Sequence, residues 1–314
     1  MARSETLTEI DGRRLALSNL AKELYPSGQT KAEVISYYLH IAPVLLPHIA
    51  DRPLTRLRAP DGAAGPTFYE KNAPAGTPDW VRVRPVQASD GPIDYVVADD
   101  AATVVWLANL AALELHVPQW RFASTGPGRL RLPESATDAP LPLHDRLVID
   151  LDPGEGITMI ESARAALLAG GLLARDGLVP VCRTSGGKGL QVAAAIAPAD
   201  GTASRDYVRG LAAELVRTAP DLFVDQMARS ARAGRIFVDY NQNQTFRNTV
   251  APYSLRIGDR PRVATPLTWD ELGAVQTPDA LRFGPDEVLA RVAEHGDLAG
   301  DLLLDDPPPL PASD

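Results

Sequence analysis

Two aspartates one residue apart, Asp150 and Asp152 in RLVIDLDPGEG, are the side chains of this sequence best placed to do chemistry. On an extended strand residues i and i+2 leave the same face, so the pair presents two carboxylates side by side. Such a pair is a hard oxygen cage for Mg²⁺ or Mn²⁺. Leu147, Val148, Ile149 and Leu151 bury the strand and would hold the acids rigidly, and Pro153 ends it. A further acid, Asp239, closes the apolar run of RIFVDYNQN. Three carboxylates on neighbouring strands can hold two metal ions for an in-line phosphoryl transfer, which makes Asp150, Asp152 and Asp239 the expected catalytic and metal-ligand set. Taken singly, each is equally an exposed acid or a turn residue; only adjacency of the two strands separates the readings.

Between the acid-bearing strands lies RTSGGKGLQV. Gly186, Gly187 and Gly189 let backbone amides approach a phosphate, Ser185 offers a hydroxyl and Lys188 a point charge. The spacing is not that of a P-loop, and a plain hairpin turn would explain the glycines too. Its position between the acids favours the phosphate reading.

The elements that must position these residues alternate along the chain. SNLAKELYP followed by TKAEVISYYLHIAPVLLPHI reads as a helical hairpin, with Thr30 as N-cap, Glu33 completing a capping box, and Pro43 and Pro47 at its end. Short strands follow in PLTRLRAP and TFYEKN, then AATVVWLANLAALELHV as one long helix. GPGRLRLPESATDAPLP is the expected internal loop. Beyond it come the strand RLVIDLDP, the helix IESARAALLAGGLL, two strands joined by the glycine-rich turn, the helix RDYVRGLAAELVRTA and the strand GRIFVDYNQ. Tight turns between some strands favour a mixed sheet, so the expected class is α/β or α+β.

Composition bounds the function. With 45% hydrophobic residues the chain can bury a large core. The single Cys182 excludes an intramolecular disulfide and a cysteine-based zinc site, so any metal must use oxygen ligands. A net charge of −9 argues against a protein that coats nucleic acid nonspecifically, although Arg52, Arg56, Arg58, Lys71, Arg82 and Arg84 cluster as a possible basic track. There is no run of eighteen apolar residues and no apolar stretch in MARSETLTEIDGRR, so a cytoplasmic, nucleoid-associated protein without a membrane partner is expected.

In order along nearly the whole chain, NLAKELYP, TKAEVISYYLHIAPVLLPHI, RAPDG, FYEKNAP, NLAALELHVP, DLDPGEG, TSGGKGL, FVDYNQN and APYSLR resemble the polymerase domain of bacterial ligase D proteins, a branch of the archaeo-eukaryotic primase superfamily. The resemblance implies a mixed-sheet catalytic core with an RRM-like half, and transfer of a nucleotide from an NTP or dNTP to a primer 3′ hydroxyl. It implies one catalytic domain over residues 1–304, with an N-terminal part to about 125 and the RRM-like part from about 140; the prolines of DDPPPLPASD, which cannot donate to helix or sheet, make 305–314 an expected disordered tail. Carried over by motif, Asp150, Asp152 and Asp239 hold Mn²⁺ or Mg²⁺ as two ions. His116, Ser185, Lys188, Gln191, Arg232 and Arg256 hold the nucleotide. Lys22 and Lys31 grip a 5′ phosphate in gapped DNA, and Phe68 and Tyr69 stack on a template base, although strand alternation lets only one of those two face out.

One residue departs from the family: the chain has Gln191 where SGGKGLH ends in histidine, and an amide can donate to phosphate but carries no charge. The expected function is therefore template-dependent DNA or RNA polymerisation in gap filling or end joining, on gapped or overhanging DNA. A separate ligase and an end-binding protein are the expected partners. The alternative is a non-catalytic DNA-end binding module of the same fold; a metal-dependent phosphohydrolase fits less well, since hydrolysis needs neither the aromatic pair nor the lysines.

Overall fold

The structure, a computed structural model, describes residues 5–122, 128–228 and 232–312. It opens with a hairpin of β1 (Glu5–Ile10) and β2 (Arg13–Ser18) that turns at Asp11 and Gly12, both at positive φ. The expected helical hairpin is a single helix, α1 (Lys31–Ile49), entered through the Thr30–Glu33 capping box. SNLAKELYP is instead a looped segment: Asn19 takes a left-handed φ of 56°, which no helix tolerates, while Leu24 and Tyr25 are buried from an irregular backbone. Pro43 and Pro47 lie inside α1 and do not end it.

Strands β3 (Thr55–Arg58) and β4 (Phe68–Glu70) form where short strands are expected and pair antiparallel, and β5 (Val83–Ala88) and β6 (Gly91–Val96) form a further hairpin. The expected long helix is divided. α2 (Ala101–Asn109) ends before Ala111, whose φ of 58° turns the chain into strand β7 (Ala112–Val117). Every residue of β7 is buried, Glu114 and His116 included, and its short alternation follows an apolar helix without a glycine or proline that would mark the change of period. The expected loop after residue 125 supplies a short strand, β8 (Leu130–Arg131), parallel to β5; its residues 126 and 127 lie outside the described residues.

The second half begins with β9 (His144–Pro153), α3 (Met159–Arg175), β10 (Pro180–Thr184), β11 (Leu190–Ala199) and α4 (Gly201–Thr218). It continues through β12 (Phe223–Val224), β13 (Ile236–Asp239), β14 (Thr249–Val250), β15 (Leu255–Arg256), β16 (Arg262–Val263) and β17 (Pro266–Leu267) to α5 (Trp269–Gly273) and α6 (Pro285–His295). One sheet runs β12-β13-β9-β11-β10-β17, with β12 parallel to β13 and the other pairs antiparallel, the mixed sheet expected. A smaller sheet runs β14-β7-β3-β4.

The pleat of the larger sheet sorts its side chains. Leu147, Ile149, Leu151, Val192, Ile236 and Val238 face the cluster formed with α3 and α4. Val148, Val181 and Ala193 face the other way, into the core built on α1, α2 and β7. β9 is thus covered on both faces, and its even-numbered positions run from that second core out to Asp150 and Asp152. Residues 305–312, expected to be disordered, take a defined path: the Ala197 N–H donates to the Pro308 carbonyl at 2.8 Å and Leu310 packs on the α3/α4 cluster, while residues 313 and 314 lie outside the described residues.

Helix α3 holds two adjacent glycines in opposite situations. A Cβ at Gly170 would lie 2.3 Å from the Trp269 ring, whereas one at Gly171 would meet nothing within 4 Å. Gly171→Ala should therefore raise stability by up to about 1 kcal/mol through helix propensity. Gly170→Ala should lower it by about 1–3 kcal/mol through overpacking, despite the same propensity gain. Chemical denaturation of both variants tests this; equal signs would contradict the packing of α3 on α5.

Candidate metal and nucleotide site

The acids meet through strand register. β13 pairs with β9 so that Asp239 stands opposite Asp150 and Phe237 opposite Asp152, and β11 pairs on the other side so that Gln191 stands opposite Asp150. Arg183 of β10 stands opposite Gln191, completing a row Asp239, Asp150, Gln191, Arg183 on one face. Carboxylate oxygens of Asp150, Asp152 and Asp239 lie within 4.8 Å of one another. Adjacency, which the sequence could not supply, is present.

Burial, together with the charges of Asp152 and Asp239, pushes the Asp150 carboxyl up to about 7, against the opposing pull of the Gln191 amide and the Arg183 cation. Burial and Asp239 raise Asp152 likewise, with Arg232 opposing. Three acids held this close, one of them buried, fit a divalent cation: oxygen ligands match a hard ion, and an ion would relieve their repulsion. Asp239 is held by the Asn241 N–H at 3.0 Å and the Gln242 amide at 2.9 Å.

Gln191 is buried, and its Nε2 donates to Asp150 Oδ1 at 3.1 Å. The structure thus engages the amide with a carboxylate of the triad, where the sequence reading aimed it at a triphosphate. Beside it the glycine-rich turn closes with the Ser185 N–H donating to the Gly189 carbonyl at 2.9 Å, and Lys188 is exposed. Two close approaches fix the turn. A Cβ at Gly186 would lie 2.2 Å from Arg256 Cγ, and one at Gly189 would lie 2.7 Å from the Leu151 carbonyl oxygen. Glycine is required at both for contact rather than for decoration.

His116 lies on strand β7 and not at a helix end. Its Nε2 is 2.7 Å from Glu114 Oε2, and the same oxygen is 3.1 Å from Arg256 Nη1. Glu114 therefore joins two residues assigned to the nucleotide, and sequence reasoning missed it. The signal was Glu-x-His, since on a strand both side chains leave one face. Arg232 lies over the Phe237 ring at 3.7 Å, next to the Asp152 row. A Cβ at Gly154 would lie 1.7 Å from the Arg232 carbonyl oxygen, so the turn after Asp152 packs directly on this segment.

Phe68 and Tyr69 are 45% and 64% exposed, so both face out, contrary to the alternation argument. β4 is a three-residue edge strand, and both rings keep part of their surface in solvent there. Tyr69 meets the His116 ring edge-on at 5.7 Å, while Phe68 lies under the Arg58 guanidinium. Four residues of the expected basic track are held in ion pairs: Arg52 is buried on Asp145, Arg56 and Arg58 share Glu70, and Arg82 bridges Asp51 and Asp99, while Arg84 lies over the Phe122 ring. Lys22 remains partly exposed near Asp61, whereas Lys31 is buried with its ammonium on the Ser18 and Asn109 carbonyls. The backbones of the two lysines are joined, Lys31 N–H donating to the Lys22 carbonyl at 2.8 Å.

A carboxylate triad of this kind, set beside a phosphate-sized turn on a mixed sheet, serves divalent-metal phosphoryl transfer. The chain belongs to the LigD primase-polymerase domain family, whose model matches residues 30–299. It is 42% identical over 298 residues to the multifunctional non-homologous end joining DNA repair protein LigD of Mycobacterium tuberculosis, covering 94% of this chain and 38% of that protein. The bifunctional LigD of Bacillus subtilis is 29% identical over 286 residues, covering 90% of this chain and 43% of that protein. Both relatives are therefore more than twice as long as the stretch they share with it. Among solved structures, the polymerase domain of Mycobacterium tuberculosis ligase D in complex with DNA superposes with a TM-score of 0.84 at 40% identity, covering 94% of this chain and 99% of that one. The motif resemblance and the mixed α/β class are both borne out.

The raised Asp150 carboxyl gives the metal-free protein a definite pH signature. Between the ordinary aspartate value of about 4 and the folded value of about 7, the folded state binds more protons than the unfolded chain. This contribution to stability is therefore lost as pH rises through that window. In chelator, Asp150→Asn should gain Tm over the wild type as pH goes from about 5 to about 7. A constant or shrinking difference would show that the triad carries no repulsive charge.

Proposed function

We propose that this chain is a template-dependent polymerase of the primase-polymerase type, adding NTP or dNTP to a primer 3′ end in gap filling or end joining. The observation that carries the proposal is the β9/β13 register, which gathers Asp150, Asp152 and Asp239 within 4.8 Å beside the glycine-rich turn. The likeness to a polymerase domain in complex with DNA supports DNA as the partner, which we take to be gapped or overhanging. The relatives' names support an end-joining repair context, in which we expect a ligase and an end-binding protein to act alongside. We place the protein at the nucleoid in the cytoplasm; among the described residues no helix is long and apolar enough to cross a membrane.

Asp150, Asp152 and Asp239 would hold Mn²⁺ or Mg²⁺ as a pair of ions, which when bound supply activation of a 3′ hydroxyl and neutralisation of charge on the transferring phosphate. The chain's own residues do the remaining work. The Ser185 hydroxyl, the turn amides and the Lys188 ammonium receive the triphosphate, with Arg256 and His116 on one side and Arg232 on the other. Tyr69, on the His116 side, and Phe68 offer rings to a template base. Lys22 offers its ammonium to a downstream 5′ phosphate, and Lys31 secures the loop that carries it. We read residues 1–304 as one catalytic unit, since a single core cluster contains Leu15, Leu113, Val148 and Leu302.

Primer extension on a gapped duplex with Mn²⁺ and with Mg²⁺ tests the proposal. The wild type should extend, and the Asp150→Ala/Asp152→Ala variant should lose several kcal/mol of transition-state stabilisation, about 10³-fold or more in rate, with its fold intact. Removing the 5′ phosphate should weaken wild-type binding of the gap and leave Lys22→Ala unaffected. DNA binding without extension by the wild type would favour the non-catalytic module, and extension by the double variant would overturn the triad assignment.

A further inference from the structure

Glu114 is an acid where a triphosphate site should want none. It sits in the middle of β7, 3% exposed, and all its oxygens' contacts are to donors. Oε2 takes His116 Nε2 at 2.7 Å and Arg256 Nη1 at 3.1 Å, and Oε1 accepts the Ile257 N–H at 2.8 Å. Burial alone would raise its carboxyl, but the His116 hydrogen bond and the Arg256 charge bring it below the ordinary value, so it is an anion at neutral pH. A buried anion is costly unless its lone pairs are used, and here three donors use them.

The consequence is geometric. Arg256 could swing on its long side chain, yet Glu114 holds the guanidinium while the Arg256 stem lies against Gly186 of the glycine-rich turn. His116 is held through Nε2, which leaves Nδ1 for another partner, and its ring carries the edge contact with Tyr69. A continuous chain of contacts runs from Tyr69 through His116, Glu114 and Arg256 to the turn. We propose that Glu114 is a positioning residue that presets Arg256 and His116 for the incoming nucleotide, acting through these two side chains and without touching the nucleotide itself. The proposal rests on the nucleotide-site reading of His116 and Arg256.

Preorganisation predicts that loss of the acid weakens nucleotide binding, although simple Coulomb repulsion between carboxylate and triphosphate predicts the opposite. The test uses the full chain and compares Glu114→Gln, Arg256→Met, His116→Ala and the double variant Glu114→Gln/Arg256→Met. The readouts are Kd for a nucleoside triphosphate measured without turnover, KM and kcat in primer extension, and Tm. Glu114→Gln keeps the volume but puts an amide donor against existing donors, so Kd and KM should rise roughly tenfold, about 1.4 kcal/mol, with kcat changed much less. Added to Arg256→Met, the same substitution should have an effect reduced to about threefold or less, because its main object is gone.

A structural role alone would lower Tm and leave the Kd unchanged, or would add in full on top of Arg256→Met; either result overturns the proposal. Tighter nucleotide binding by Glu114→Gln overturns it as well. Should Glu114→Gln fail to fold, Glu114→Asp, which can reach only part of the same donor set, gives an intermediate Kd if the proposal holds and a wild-type Kd if it does not. If Arg256→Met and His116→Ala themselves leave Kd unchanged, the nucleotide-site reading has failed and not merely the role of Glu114.

Discussion

Register on one doubly covered strand is the constraint on which the site depends. β9 must place Leu147, Ile149 and Leu151 under α3 and α4, and must place Val148 in the opposite core. The next positions on the Val148 face are Asp150 and Asp152. A slip of one residue would drive both acids into the α3/α4 cluster, so the apolar residues that stabilise the sheet also fix where the charge emerges. The same pairing brings Asp239 opposite Asp150 from β13. The repulsion that results is not removed by the fold: Gln191 on the adjacent β11 and Arg183 on β10 beyond it only moderate it.

The first half of the chain brings to the site a buried acid, Glu114, and two exposed rings, Phe68 and Tyr69, rather than a continuous basic surface. Most of the arginines that cluster in sequence are spent on internal carboxylates, consistent with the net charge of −9. The groups near the acids that can face an anionic ligand include the turn at 185–189, Arg256 laid against Gly186 and Arg232 over Phe237, with the partly exposed Lys22 elsewhere in the chain. A local field of this sort can hold a phosphate while the protein as a whole stays acidic.

The acids and the glycine-rich turn were legible because their chemistry is written in short range: Asp-x-Asp on an apolar strand, and glycines between two strands. The helices α3 and α4 were legible for the same reason, their apolar residues recurring at helical spacing. Elements that tertiary context decides were not. Ala101 to Val117 is largely apolar, with Asn109, Glu114 and His116 among its polar breaks, and the positive φ at Ala111 divides it into helix and strand. That division hid Glu114, whose pairing with His116 is visible only once β7 is a strand. The Asp11–Gly12 hairpin carried a turn signal that went unread, while the engagement of Gln191 with Asp150 and of Lys31 with two carbonyls needs the assembled neighbours to be seen.

The central claim is that these three strand-borne carboxylates form one divalent-metal site. Anomalous diffraction from crystals grown with Mn²⁺ tests it most directly. A peak about 2.0–2.6 Å from oxygens of Asp150, Asp152 and Asp239 is the predicted result, as hard-ion coordination requires. Saturating Mn²⁺ with no peak among the three carboxylates, or with the ion bound to other groups instead, would contradict the account.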